Sequence, residues 1–369
     1  MTGSPYSEGG ALYALGLIHA NHGHSVIQYL TQSLQSTLNE VVQHGACLGL
    51  GVAGMASDDQ VLFAALKEVL FADNATSGEA AGLSLGLVML GTNNSKSIQD
   101  MLQYARETKH EKIIRSLSLG VGMIVFGKED QADSVIEDMC ADQDALIRYG
   151  GMYAIALSYA GTGNNKAIKK LLHYAVSDVD NNVRRAAVTA LGFILFKTPE
   201  KVPKLVQLLS ESYNPYVRYG ATQALGISCA GTGSKEAQAL LEPLTKDNSG
   251  FVKQGALIAL SMIYMQHNDI QSPKVKEVRT LFDKIIGDKY EDQPSKFGAT
   301  LAQGILDAGG RNVTISLKSR SGYSNMRAIV GMVLFTQNWY WFPLTHMLSL
   351  AFTPTSFIGL NKDLEVTTN

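Results

Sequence analysis

One stretch recurs along nearly the whole chain: Arg218-Tyr219-Gly220-Ala221-Thr222-Gln223-Ala224-Leu225-Gly226-Ile227-Ser228-Cys229-Ala230-Gly231-Thr232-Gly233 has recognisable copies from one end of the sequence to the other. Aligned on the glycine of Ala-Leu-Gly, the copies form a column of small residues: Gly16, Gly51, Gly86, Gly120, Ala156, Gly192, Gly226, Ser261, Gly304 and Gly331. Successive spacings are 35, 35, 34, 36, 36, 34, 35, 43 and 27 residues. A period of this length is the signature of stacked supersecondary units, none of which can bury its apolar face alone.

Two further columns turn the period into structure. Twelve residues before each small residue stand Ser4, Asn39, Asn74, Thr108, Asp144, Asp180, Asn214, Ser249, Asp292 and Ser319. All carry a side-chain oxygen able to cap a helix N-terminus, so each unit is predicted to open a helix there. Pro5 and Pro215 follow two of the caps, at the first helical position, where a missing N–H costs nothing. Four residues after the cap, five consecutive units carry a cation: Arg148, Arg184, Arg218, Lys253 and Lys296. Paired with Asp144, Asp180, Asn214, Ser249 and Asp292, these predict a ladder of polar contacts along the stack. A glycine inside a helix costs about 1 kcal/mol relative to alanine, so eight in one column need a compensating cause. Close backbone approach supplies it, and the motif helices are expected to form a crowded inner layer in which Gly226→Leu cannot be accommodated.

The segments between motif helices read as second helices of hairpins, among them Leu62/Leu66/Leu70, Ile98/Met101/Leu102 and Leu205/Leu208/Leu209. Short Gly-Thr-Gly or Gly-Thr-Asn loops follow the motif helices. The expected organisation is nine helical-hairpin repeats over 1–304, a closing segment over 305–360 and a frayed tail over 361–369. The 43-residue interval predicts an extra-long second helix over about Pro273–Lys289. In the 27-residue interval, Gly309-Gly310 breaks the helix and Asn312–Leu317 alternates with β-branched residues like a short strand. A last repeat-like helix and an apolar end complete the closing segment. No polar terminal cap precedes Ser4, which predicts a shortened form of something longer.

Composition narrows the chemistry. With 46% hydrophobic and 17% charged residues and a formal net charge of −2, the chain can bury a large core and shows neither a basic run for nucleic acid nor an acidic tail. Cys47, Cys140 and Cys229 lie far apart without a C-x-x-C pair and are expected to be structural thiols in a reducing compartment. Ile329–Phe352 is uncharged and long enough to span a bilayer, yet Gln337, Asn338, Pro343, Thr345 and His346 interrupt it, so a buried closing element is expected. His19, His22 and His24 are metal-ligand types but fall on the repeat turn. Gly161–Lys166 lacks the spacing of a phosphate loop and follows a helix where a strand is required. Glu129, Asp130, Asp133, Glu137 and Asp138 gather on one hairpin and read as a solvated face. No catalytic, cofactor or metal residue is predicted. An enzyme of the helical-barrel kind, using carboxylates, is the weaker class.

The Gly-Ala-x-x-Ala-Leu-Gly core at this spacing resembles the proteasome/cyclosome repeat family, found in the two largest scaffolds of the proteasome base and in the largest scaffold of the anaphase-promoting complex. Lys296–Leu317 and Asn338–Pro354 are similar to the proteasomal branch. The resemblance implies an all-α hairpin array closed into a toroid, a non-catalytic scaffold, partners among the proteasomal ATPase ring and lid subunits, and a cytoplasmic and nuclear location, with no cofactor, membrane or nucleic acid. The C-terminal tail on which that family docks a ubiquitin receptor is missing, and Leu364–Asn369 does not continue the family sequence, so that partner is not expected. A generic HEAT-like adaptor or the cyclosome scaffold is the alternative within the class.

Overall fold

The computed structural model describes residues 4–268, 270, 272–356, 359–363 and 365. Their contacts divide the chain into two compact units, 1–197 and 198–369. The division falls inside the repeat run, where Lys197-Thr198-Pro199 stands in place of Gly-Thr-Gly.

The first unit is helical throughout: α1 (Pro5–Ile18), α2 (His24–Gln35), α3 (Glu40–Ala53), α4 (Gln60–Phe71), α5 (Ala75–Val88), α6 (Ser95–Glu107), α7 (Glu111–Ile124), α8 (Asp133–Cys140), α9 (Ala145–Ser158), α10 (Asn165–Ser177) and α11 (Asn181–Leu195). Each odd-numbered helix packs on the next odd-numbered one, and each even-numbered helix packs on the odd-numbered helix that follows it. Two layers result. In the motif layer, α3, α5, α7, α9 and α11 are buried almost all round. In the second layer the helices are amphipathic: α6 buries Ile98, Met101, Leu102 and Ala105 at helical spacing and leaves its other face to solvent.

The second unit repeats the scheme with α12 (Val202–Ser210), α13 (Pro215–Ser228), α14 (Lys235–Leu244), α15 (Gly250–Tyr264), α16 (Lys274–Gly287) and α17 (Gln293–Leu306). The chain then leaves the pattern at Gly309 and Gly310, whose φ values of 57° and 62° no helix continues through. Strand β1 (Val313–Ile315) pairs antiparallel with β2 (Phe352–Pro354), Thr314 opposite Thr353. Between them α18 (Met326–Thr336) packs on a 3-10 segment, Phe342–Ala351. The uncharged stretch is therefore a series of short elements, with a 3-10 turn at Gln337–Trp339 between the two, and no helix among the described residues is long and apolar enough to cross a membrane.

Most predicted caps stand where the columns place them. Ser4, Asn39, Asn74, Asp144, Asp180, Asn214 and Asp292 each accept a backbone N–H of their own first turn, and Ser249 holds the N-cap position without a side-chain bond. Two do not. Thr108 closes α6, and its hydroxyl is occupied by Asp73 and the His110 N–H, so α7 starts after His110. Ser319 lies in a hairpin turn, and Asn325 caps α18.

Other expectations are corrected. α16, with 14 residues, is the longest of the second-layer helices but exceeds α6 and α10 by only one, so the rest of the extra length of that interval lies in its connections. In α12 the buried face is Val202, Val206 and Ser210, at i, i+4 and i+8, which turns Leu208 outward at 81% exposure. Of the predicted frayed tail, 364 and 366–369 lie outside the described residues.

Candidate scaffolding surface

The repeat junctions are built first from the small-residue column. A Cβ added to Gly86 would lie 2.3 Å from Cα of Gly120 on the next motif helix, so the two backbones touch. Gly16, Gly51, Gly226 and Gly331 meet neighbours at 2.4 to 3.0 Å in the same sense, and Gly192 is buried. Gly120 would strike the Gly82 carbonyl at 2.7 Å on the preceding helix. Gly304 departs from the column: it is exposed, with nothing within 4 Å of an added Cβ, because this face of α17 carries no following motif helix.

A second device was not read from the sequence. The turns after α1, α3, α5, α9 and α13 each donate two backbone N–H groups to the last carbonyls of the next motif helix, and the turn after α7 donates one, from Gly127 to Leu157 O. Gly161 and Gly163 bind Phe193 O at 2.9 Å and Ile194 O at 3.1 Å. Asn21 and Gly23 reach Val52 and Ala53 in the same way, Ala56 and Asp58 reach Leu87 and Val88, Gly91 and Asn93 reach Met123 and Ile124, and Gly231 and Gly233 reach Met262 and Ile263. These last-turn carbonyls lack the i+4 N–H that a continuing helix would supply, so the clasp helps to satisfy a helix end and joins two repeats at once. Apart from Gly23, at −79°, the turn residues take φ near +60°, which explains the Gly, Asn and Asp at most of these positions, with Ala56 the exception. That i, i+2 pattern was the available signal.

The cation column forms a ladder, with different partners from those expected. Arg148 Nε and Nη2 make a bidentate pair with Asp178 at 2.9 and 3.1 Å, while Nη1 holds the carbonyls of Asp142 and Gln143. Arg218 repeats this with Asp247 at 2.7 and 2.9 Å and with the carbonyls of Ser212 and Tyr213. The acid is thus two residues before the next repeat's cap, not the arginine's own cap. Asp144, Asp180 and Asn214 spend their oxygens on helix N–H groups instead. Arg184 binds the carbonyls of Ala175 and Val176. Lys253 bonds Glu291 and lies 2.6 Å from Asp292, the one cap of the ladder set that takes part, whereas Lys296 makes no ion pair among the described residues. An Asp two residues before the cap, as in Asp142-Gln143-Asp144, Asp178-Val179-Asp180 and Asp247-Asn248-Ser249, was the missed sign.

These pairs are set by partial burial and by hydrogen bonds. The bond from Asp178 holds the Arg148 guanidinium above its usual range. Burial would raise Asp247, but Arg218 and the Ser249 N–H bring it below the ordinary carboxylate value. For Asp292, too, burial is outweighed, here by Lys253 and Ser295, and the carboxyl sits at about 2. On the α8 hairpin, Tyr159 donates between Asp130 and Asp133 at 3.0 and 2.8 Å, and Lys166 reaches Asp133 at 2.5 Å, so part of that carboxylate cluster is tied to the neighbouring repeat.

Among the described residues no three His, Cys, Asp or Glu side chains are placed to hold a metal, and His19, His22 and His24 border the turn between α1 and α2. The groove between α4 and α6, lined by Lys67, Phe71, Asp100, Gln103, Tyr104 and Glu107, encloses about 140 Å³, below the usual size of a ligand site. Cys47, Cys140 and Cys229 are buried free thiols. What the surface offers instead is apolar side chains on the loops that lead into motif helices: Leu38 and Val179 in the first unit, Tyr213 and Tyr290 in the second, each at least 85% exposed.

Buried motif helices, clasped turns and arginine forks define a class, that of helical-repeat proteins whose outward surface is hairpin edge and loop. Residues 10–43, 45–79 and 80–114 match the proteasome/cyclosome repeat, and 134–226 and 168–261 match HEAT repeats. Over nearly its whole length the chain is a relative of one proteasomal subunit. It is 59% identical over 364 residues to the Drosophila melanogaster 26S proteasome non-ATPase regulatory subunit 1, covering 98% of this chain and 36% of that protein. It is likewise 59% identical to homolog B of that subunit from Arabidopsis thaliana, covering 99% and 36%, and 55% identical to the 26S proteasome regulatory subunit rpn2 of Schizosaccharomyces pombe, covering 98% and 37%. The chain spans just over a third of the length of these relatives.

Proposed function

We propose that this chain is a non-catalytic scaffold of the 26S proteasome regulatory particle, presenting its hairpin edges to ATPase and lid subunits in the cytoplasm and nucleus. The observation that carries the reading is similarity over 98% of the chain, taking in the repeats, the strand and the closing segment, to proteins named as proteasomal regulatory subunits. A scaffold acts by holding partners in register, and clasped, buried repeats suit that task because their geometry is fixed before any partner arrives. Recovery of the tagged chain from cell lysate in ATP-containing buffer, with mass spectrometry of what accompanies it, is expected to yield proteasomal ATPase and lid subunits. Chaperones alone would overturn assembly by this chain, and anaphase-promoting subunits would move it to the cyclosome scaffold.

A further inference from the structure

Several cations elsewhere in the chain meet acids: Arg106 meets Asp138 and Asp142, Arg115 meets Glu79, and Arg279 and Arg311 share Asp307. After Asp307 the acids stop. Residues 308–362 hold Arg311, Lys318, Arg320, Arg327 and Lys362 and not one carboxylate, in a chain whose formal net charge is −2. Lys318, Arg320 and Arg327 have no ion pair among the described residues, and Lys318 and Arg320 are exposed.

The hairpin that carries them is held in one shape. Lys318 bridges Ser324, Asn325 N–H binds Leu317 O at 2.8 Å, Ser319 N–H binds Tyr323 O at 2.8 Å, and Gly322 closes a tight turn on Ser319 O at 2.9 Å with φ of 85°. Ile315 and Leu317 are buried below it, and Ser316 N–H ties the stem to Ala351 O. Strand alternation therefore anchors one side of the stem in the core and turns the other outward. Tyr323, 75% exposed, adds an aromatic ring beside the charges.

We propose that this hairpin is a docking element for an acidic, extended polypeptide segment of a partner protein. A fixed loop loses little conformational freedom on binding, and cations with no carboxylate of their own keep their field for a partner. Such exposed charges govern association rate and salt dependence, so binding should weaken steeply as salt rises.

The test uses the full chain and a fluorescein-labelled peptide of alternating glutamate and serine, followed by anisotropy. Binding is expected at low ionic strength, with a loss of about tenfold in affinity for Lys318→Glu/Arg320→Glu and no change for Lys96→Glu/Lys109→Glu in the first unit. Circular dichroism confirms the fold of each variant, and Lys318→Gln/Arg320→Gln replaces the charge reversal if that chain does not fold. An equal loss in both pairs, no binding at all, or tighter binding of a single-stranded oligonucleotide than of the peptide would each overturn the proposal.

Discussion

A glycine in this chain can be a backbone contact or a plain helix residue, and the structure separates the two. At Gly86 a Cβ would lie 2.3 Å from another Cα, whereas at Gly304 it would meet nothing. Gly86→Ala should destabilise by about 1 to 3 kcal/mol through overpacking, while Gly304→Ala should stabilise by up to about 1 kcal/mol through helix propensity. Urea denaturation of both variants checks the opposite signs. The arginine forks make a similar distinction. The Asp178 side chain is only 4% exposed, so Arg148→Met strands its carboxylate and should cost about 3 kcal/mol, part of it recovered by adding Asp178→Asn. Burial pushes the Cys47 thiol up to about 12 and the Cys140 thiol up to about 11, so both should resist iodoacetamide at mildly alkaline pH until the chain unfolds. Asp292 is held at about 2 against an ordinary 3.8, so its contribution to stability is present above that ordinary value and lost as pH falls through 2. The urea midpoints of the parent chain and Asp292→Asn should therefore converge in acid and separate as pH rises.

At the scale of elements, the two-layer hairpin was legible because its causes are local. Caps such as Asn39 and Asp180 open helices within their own turn, and spacing such as Leu62/Leu66/Leu70 marks a buried stripe. Thr108 and Leu208 misled for the same reason: a neighbouring loop claims the threonine hydroxyl, and the face on which Leu208 falls is chosen by what packs on α12. The clasp gives the element scale its own prediction. Gly163→Pro removes the N–H that binds Ile194 O at 3.1 Å and forces φ away from +64°, so it should lower Tm by more than Gly163→Ala, which keeps the N–H and suffers only the positive φ. Hydrogen exchange at residue 161 should quicken in the proline variant as the turn loosens.

At the scale of the molecule, the repeat columns run past Lys197 without a break, yet the contacts form two compact units. Each has its own buried motif helices and second-layer helices. The period by itself determined the hairpin class, the layer to which each helix belongs and most helix starts, because capping, periodicity and small-residue packing act over one repeat. Tertiary structure alone decided which acid each arginine grips, that Gly304 faces open space, how β1 finds β2 across 36 intervening residues, and that the longest run without carboxylates carries an exposed cationic hairpin. Those outcomes join residues that are far apart in the chain, and spacing carries no record of which distant groups will meet.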